Sequence, residues 1–209
     1  MVSDSALSDF LSTVVADDGL HVRWLNTLSL LEFMGTRKIA RSMAERRTDE
    51  QALRHLAEEA RHAHFFKRMI RKVQPDADPA YKKDELLCGF AAARYFHKLD
   101  ARVRSEVLNL PCRPKDRTEL CFLYVTTLIE ERADTVYSLY DTCLQERQIP
   151  IRLGGLIQEE AGHMEDMLRS ASRIDPDFAE RLKAYREIEA ELFAGFFQAL
   201  QNATQPVAA

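Results

Sequence analysis

Glycine and proline are scarce in this chain, seven of each in 209 residues, which leaves few places to turn and favours long uninterrupted helices. Cysteine is scarcer still. The four at positions 88, 112, 121 and 143 form no C-x-x-C pair, so neither a zinc knuckle nor a redox dithiol is indicated. Isolated thiols of this kind fit a reducing compartment. Long hydrophobic runs are missing, and none approaches the roughly 18 to 20 apolar residues of a membrane span. Nor does one sign of charge dominate: a net charge of -4 exerts no overall pull on nucleic acid or anionic lipid. The start of the chain, Met1-Val2-Ser3-Asp4-Ser5, lacks a basic region followed by an apolar run, so no secretory signal is expected and the chain reads as cytoplasmic and soluble.

What is present is helical periodicity over most of the length. Hydrophobic residues at 46% and charged residues at 30% are ordinary for a globular protein, and the length suits a single domain over 1–209. A short amphipathic helix is expected over 3–17. A long one over about 20–46 carries the stripe Leu25, Leu28, Glu32, Gly35, Ile39, spaced by threes and fours as a core-facing stripe requires. Thr48 followed by Gln51 is a capping-box signature opening a helix over about 49–73, with Leu56, Glu59, His62 and Phe66 in line. Pro75 and Pro79 break the chain before a helix over about 84–108 whose apolar positions include Leu86, Leu87, Phe90, Tyr95, Phe96 and Leu99. A third long helix, about 116–147, has Leu123, Thr127, Glu130 and Tyr137. Glu131 would lie about 100° further round it. Helices over about 151–173, with Leu156, Glu160, His163 and Met167, and about 177–202, with Tyr185, Leu192 and Phe196, complete an all-α chain.

The charged residues on those stripes carry the functional argument. Glu59 with His62, and Glu160 with His163, are each Glu-x-x-His, which places a carboxylate and an imidazole on one helix face within reach of one metal ion. Glu32 and Glu130 each stand alone on a neighbouring helix. A buried carboxylate without a partner costs several kcal/mol, so each of the four on core stripes wants a metal, a partner or a proton. Glu32 precedes Glu59 by 27 residues and Glu130 precedes Glu160 by 30, the near repetition that two opposed half-sites need.

With this order the chain resembles the ferritin-like di-iron carboxylate superfamily over roughly residues 20 to 173. Glu58-Glu59-Ala60-Arg61-His62 is close to the Asp/Glu-Glu-x-Arg-His signature of its oxygenase and reductase branches, while the second copy has Gly162 where an arginine often stands. The chain is also similar, locally, to small bacterial tRNA hydroxylases acting on a hypermodified adenosine, through Glu32-Phe33 and Ile129-Glu130-Glu131-Arg132. The resemblance implies a ferritin-like four-helix bundle with additional helices. It implies two iron ions, or manganese: Glu32 and His62 on one, Glu130 and His163 on the other, Glu59 and Glu160 bridging. It further implies O₂ as co-substrate, an electron-donating reductase, a small-molecule or tRNA-base substrate and no membrane partner; homodimerisation stays open. The alternative is an iron-handling or peroxide-detoxifying protein. Leu156 stands four before Glu160, so the seventh, histidine ligand of the N-oxygenase type is not expected.

Several further residues have two readings. Asp134, one turn after Glu130, can back a ligand histidine or form a surface ion pair. Arg61 and Tyr137 stand beside ligand positions; Tyr124 and Tyr137 are core tyrosines or radical sites. Gly35 is read as a close-contact residue, and Gly162 is left open. His97 is expected at the surface, and Lys67, Arg68, Arg71 and Lys72 form a basic helix end that is solvated or meets phosphate.

Overall fold

The computed structural model of the chain describes residues 2–44 and 48–205. Seven α-helices and one 3₁₀ turn account for its regular structure, and no described residue lies in a strand. They are α1 (Asp4–Val15), α2 (Asp18–Met43), α3 (Glu50–Val73), α4 (Gly89–Leu108), α5 (Pro114–Glu146), α6 (Gly154–Ile174) and α7 (Phe178–Thr204). The described residues are therefore all-α, as the periodicity indicated. The expected helix end at 46, the Arg46-Arg47 part of the following turn and the tail beyond Gln205 lie outside the described residues. No described helix is long and apolar enough to cross a membrane.

Local chemistry explains where the helices begin. Ser3 and Asp17 accept from the amides of Ala6 and Leu20 and cap α1 and α2. The cap of α3 is Asp49, whose carboxylate accepts from Ala52 at 3.0 Å, and not the Thr48 that the sequence pattern favoured. Thr48 instead donates to the Met43 carbonyl. The helix expected from 84 starts only at Gly89. Leu86 and Leu87 are buried in an extended segment stapled to α2 through Thr27 and Arg23. Cys88 then turns the chain with φ 57°. Gly89 follows because a Cβ there would stand 2.4 Å from the Leu86 side chain. Phe90 is accordingly 79% exposed and covers nothing.

α2 and α3 run antiparallel, since Ser29 bonds the Ala63 carbonyl while Gly35 faces Glu59 one turn nearer the loop. α5 and α6 are antiparallel too, as Tyr124–Asp175 and Asp141–Leu153 contacts show. Polar bonds join the two pairs across α3 and α6, where Gln51 meets Asp166 and Arg61 meets Glu159. α1 lies against α2, α5 and α7, with Phe10 edge-on to Trp24 and Phe197. α4 and α7 lie together across α2 and α5 and close that side with Tyr95, Phe193 and Phe196. The core thus wraps a central slot between the two helix pairs, and the polar residues collect there.

Candidate metal centre

Four carboxylates converge in the slot, one from each of four helices: Glu32 (α2), Glu59 (α3), Glu130 (α5) and Glu160 (α6). All are buried, the most exposed at 7%. Every one sits on the apolar stripe of its helix, and burying the stripes drives all four inward together. Glu131, the rival to Glu130, points round the helix to pair with Arg186 of α7 at 2.5 Å.

The carboxylates fall into two groups with histidines. Glu32, Glu59, His62 and Glu160 form one; His55, Glu59, Glu130 and His163 form the other. Within each, one potential ligand atom per residue lies within 4.8 Å of the rest, and Glu59 belongs to both. The six residues singled out in the sequence therefore meet. Glu160 departs from the symmetric expectation: it joins the first group, and it reaches His163 by a 3.0 Å contact to Nδ1.

His55 is the residue that the sequence reading missed. It stands four before Glu59 and thus on the same helix face as Glu59, so His-x-x-x-Glu-x-x-His was legible. The equivalent position before Glu160 holds Leu156. His55 Nε2 lies 3.3 Å from Glu59 and 3.6 Å from Glu130, is buried, and has no hydrogen-bond partner among the described residues. His62 Nδ1 is in the same condition. It stands 2.8 Å from Glu160 Oε1 and 3.8 Å from Glu32 Oε2, out of hydrogen-bonding alignment with either. Two buried imidazole nitrogens without partners, both facing carboxylates, are what a cation between them would satisfy.

The outward nitrogens are held. His62 Nε2 bonds Glu159 at 2.8 Å, and His163 Nε2 bonds Glu58 at 2.6 Å. Each Glu-Glu-x-x-His segment thus backs the histidine of the other. Arg61 reaches Glu159 at 2.6 Å and completes one of these chains, whereas Gly162 occupies the equivalent place on α6. Asp134, read as backing a ligand histidine or forming a surface ion pair, bonds no described residue; Glu58 and Glu159 back the histidines. Their signal was the doubled glutamate at the same offset in both copies. Tyr137 donates to Glu32. Tyr124 lies away from the site, bonded to Asp175 and stacked on Phe178.

Gly35 has a definite purpose. A Cβ built there would stand 2.5 Å from Glu59 Oε2, so the missing side chain is the space that the shared carboxylate occupies. This corrects the reading of Gly35 as a helix-contact residue alone. Gly162 faces open space.

Electrostatics show the strain of crowding these groups. Burial, reinforced by the Glu59 and Glu160 charges, holds the Glu32 carboxyl well above the usual carboxylate range, and Glu130 is raised by the same causes. Burial works against a charged His62, but Glu160 and Glu32 outweigh it and push the ring up to about 10. Glu160, although burial raises it, is held low by His163 and His62. With no cation, protons and imidazolium charge balance the carboxylates.

On the α4–α7 side the cluster opens into a cavity of about 70 Å³. Glu32, Glu59 and Glu130 form its polar floor, and Trp24, Tyr95, Phe96, Phe193 and Phe196 enclose it. Tyr95 and Phe96 of α4 with Phe193 and Phe196 of α7 supply this wall, to which the exposed Phe90 and also Tyr185 and Leu192 contribute nothing. Tyr95 is fixed by donating to Glu189, itself gripped by both arms of Arg132.

No family model matches the chain, and neither a curated protein nor a solved structure shows significant similarity to it. The functional argument rests on the geometry.

Proposed function

We propose that the chain is a ferritin-like di-metal protein whose function is to oxidise or hydroxylate an organic substrate with O₂. The observation that carries this reading is the adjacency of two ligand groups sharing Glu59 to a mostly apolar cavity. One cation would be held by Glu32, Glu59, His62 and Glu160, the other by His55, Glu59, Glu130 and His163. Hard carboxylates with imidazoles suit iron first and manganese second. Four carboxylates offer the -4 that two divalent ions neutralise, and the partnerless nitrogens of His55 and His62, with His163, supply the remaining donors.

When bound, a ferrous pair supplies two electrons to O₂, and a reductase would supply the two more that a monooxygenase requires. The chain does the rest. Glu58 and Glu159 fix the ring orientation of His163 and His62 and favour the tautomer with nitrogen free toward the cluster. Tyr137 keeps a proton on its hydroxyl, because burial and the neighbouring carboxylates raise it well above its ordinary value, and directs that proton at Glu32. The aromatic wall makes the substrate side mostly apolar.

Iron storage is the competing reading, and iron stoichiometry separates the two. Oxidation of added Fe(II) should saturate at about two irons per chain in a small assembly. Continued uptake to tens of irons per chain, in a cage-sized particle on chromatography, would overturn the oxygenase in favour of storage.

A further inference from the structure

A second, larger cavity of about 830 Å³ opens between α2, α4 and α5. It is strongly cationic in a chain that is acidic overall. Arg37, Lys38 and Arg41 of α2, Arg104 of α4 and Arg117 of α5 line it, and Asp100, the one lining carboxylate among the described residues, is already paired with Lys38. Among the described residues, the side chains of Arg37, Arg41 and Arg104 make no hydrogen bond or ion pair. Arg117 gives one arm to the Leu110 carbonyl, and its Nε is buried without a partner. The other basic cluster, at the end of α3, is different. There Lys67 bonds Asn26 and lies over Tyr81, Lys72 bonds the Pro150 carbonyl and Arg71 pairs with Asp78.

Unpaired guanidinium groups around a concave, partly apolar wall focus positive potential and concentrate anions. Their planar forks match phosphate oxygens two at a time. A phosphate monoester carries close to two negative charges and three acceptor oxygens, so it can engage more than one arginine. The volume falls in the range of small-molecule sites. Phe96 of α4 lines this cleft and also the cavity over Glu32, Glu59 and Glu130. One aromatic ring is thus common to the cationic cleft and the candidate oxidation site.

We propose that the cleft binds the phosphate end of the substrate, a phosphorylated apolar molecule whose organic end passes Phe96 into the cavity beside the carboxylates. This rests on the reading of the carboxylate cluster as a substrate-oxidising site, and it names the class of substrate.

Phenyl phosphate carries both features and serves as the probe. Calorimetric titration is done on metal-free chain, so that phosphate cannot bind a metal, with inorganic phosphate and phenol as comparisons. One phenyl phosphate per chain is expected, bound more tightly than either comparison. The exposed double variant Arg37→Ala with Arg41→Ala should weaken it ten-fold or more, while Arg68→Ala on α3 should not. Equal affinity in the double variant and the parent, equal loss in Arg68→Ala, or no binding overturns the anion site. Equal affinity for phenyl phosphate and inorganic phosphate overturns the passage past Phe96. Metal content of reloaded samples is measured separately: failure to take up metal counts against the oxygenase reading, and failure to bind phenyl phosphate against the cleft.

Discussion

Glu58 Oε2 on α3 lies 2.6 Å from His163 Nε2 on α6. Glu159 on α6 stands in the same relation to His62 on α3, at 2.8 Å. The two motifs are thereby interlocked: each supplies two groups to the cluster and one carboxylate that steadies the other's imidazole. Mutual support of this kind fixes ring orientation across the two helices.

Outer-shell partners of ligand histidines commonly govern ten- to hundred-fold in metal affinity. Glu58→Gln should weaken binding at the group containing His163 by about that factor, and Glu159→Gln at the group containing His62. Arg61→Ala should cost less, because that arginine side chain is 53% exposed and its pairing is screened. Titration with Mn(II) followed by electron paramagnetic resonance reads both sites. Unchanged affinity in both Gln variants would refute the crosswise support.

Two glycines make a matched comparison. Gly35→Ala pushes a methyl into the place of the Glu59 carboxylate and should weaken both cations, because Glu59 belongs to both groups. Gly162→Ala meets nothing, and alanine is about 1 kcal/mol better than glycine inside a helix. It should raise the melting temperature and leave metal binding unchanged. Equal metal affinity for Gly35→Ala and the parent would show that Glu59 does not need that space.

Stability of the metal-free chain should depend on pH with a definite sign. His62 is raised from its ordinary 6.5 to about 10, so its contribution is fully present below pH 6.5 and is lost as pH climbs toward 10. Glu32 and Glu130, raised by burial and mutual repulsion, act in the same direction from lower pH. Metal-free protein should therefore melt lower at pH 9 than at pH 7, and Glu32→Gln with Glu130→Gln should melt higher than the parent at both. Cation binding requires neutral imidazole and ionised carboxylate, so loading should remove the decline. A metal-free melting temperature that rises over this interval would contradict the buried cluster.

His21 works in the opposite sense and in another window. Burial lowers it to about 4, and its ring meets Tyr140 at 2.5 Å. Its stability contribution is complete above pH 6.5 and is lost as pH falls through 4, about 3 kcal/mol at most from a shift of that size. The double variant His21→Phe with Tyr140→Phe should flatten the acid limb of a melting-temperature profile between pH 4 and 6.5. An unaltered limb would place the acid sensitivity elsewhere.

Metal counts test the donor assignment. The parent should bind about two cations per chain, and a hundred-fold excess over Kd should stabilise it by about 2.7 kcal/mol through mass action. Glu59→Ala should abolish most binding and His55→Ala should impair one site. Glu131→Ala should leave both, since that carboxylate faces Arg186. Loss with Glu131→Ala and none with Glu130→Ala would reverse the assignment on α5.

The helices and the inward stripe of each were legible because helical period is local: every third or fourth residue shares a face whatever the rest of the chain does. That was enough to align Glu32, Glu59, His62, Glu130, Glu160 and His163 on core stripes. It failed where a local pattern had two outlets. Thr48 and Asp49 could each cap α3, and Asp49 does so. Leu86 and Leu87 scan as helix but are drawn into extended backbone by Thr27 and Arg23 of α2, which exposes Phe90.

By itself, then, the sequence determined an all-helical chain with four carboxylates and two histidines on buried faces, because burial of apolar stripes leaves those side chains no other direction. Tertiary structure alone decided which groups share space. It set Glu58 and Glu159 on the opposite histidines, drew His55 in against Glu130, and seated the Glu59 carboxylate in the gap at Gly35. Each of these contacts joins residues distant in sequence, and their geometry depends on how two helices approach, which no single helical repeat encodes.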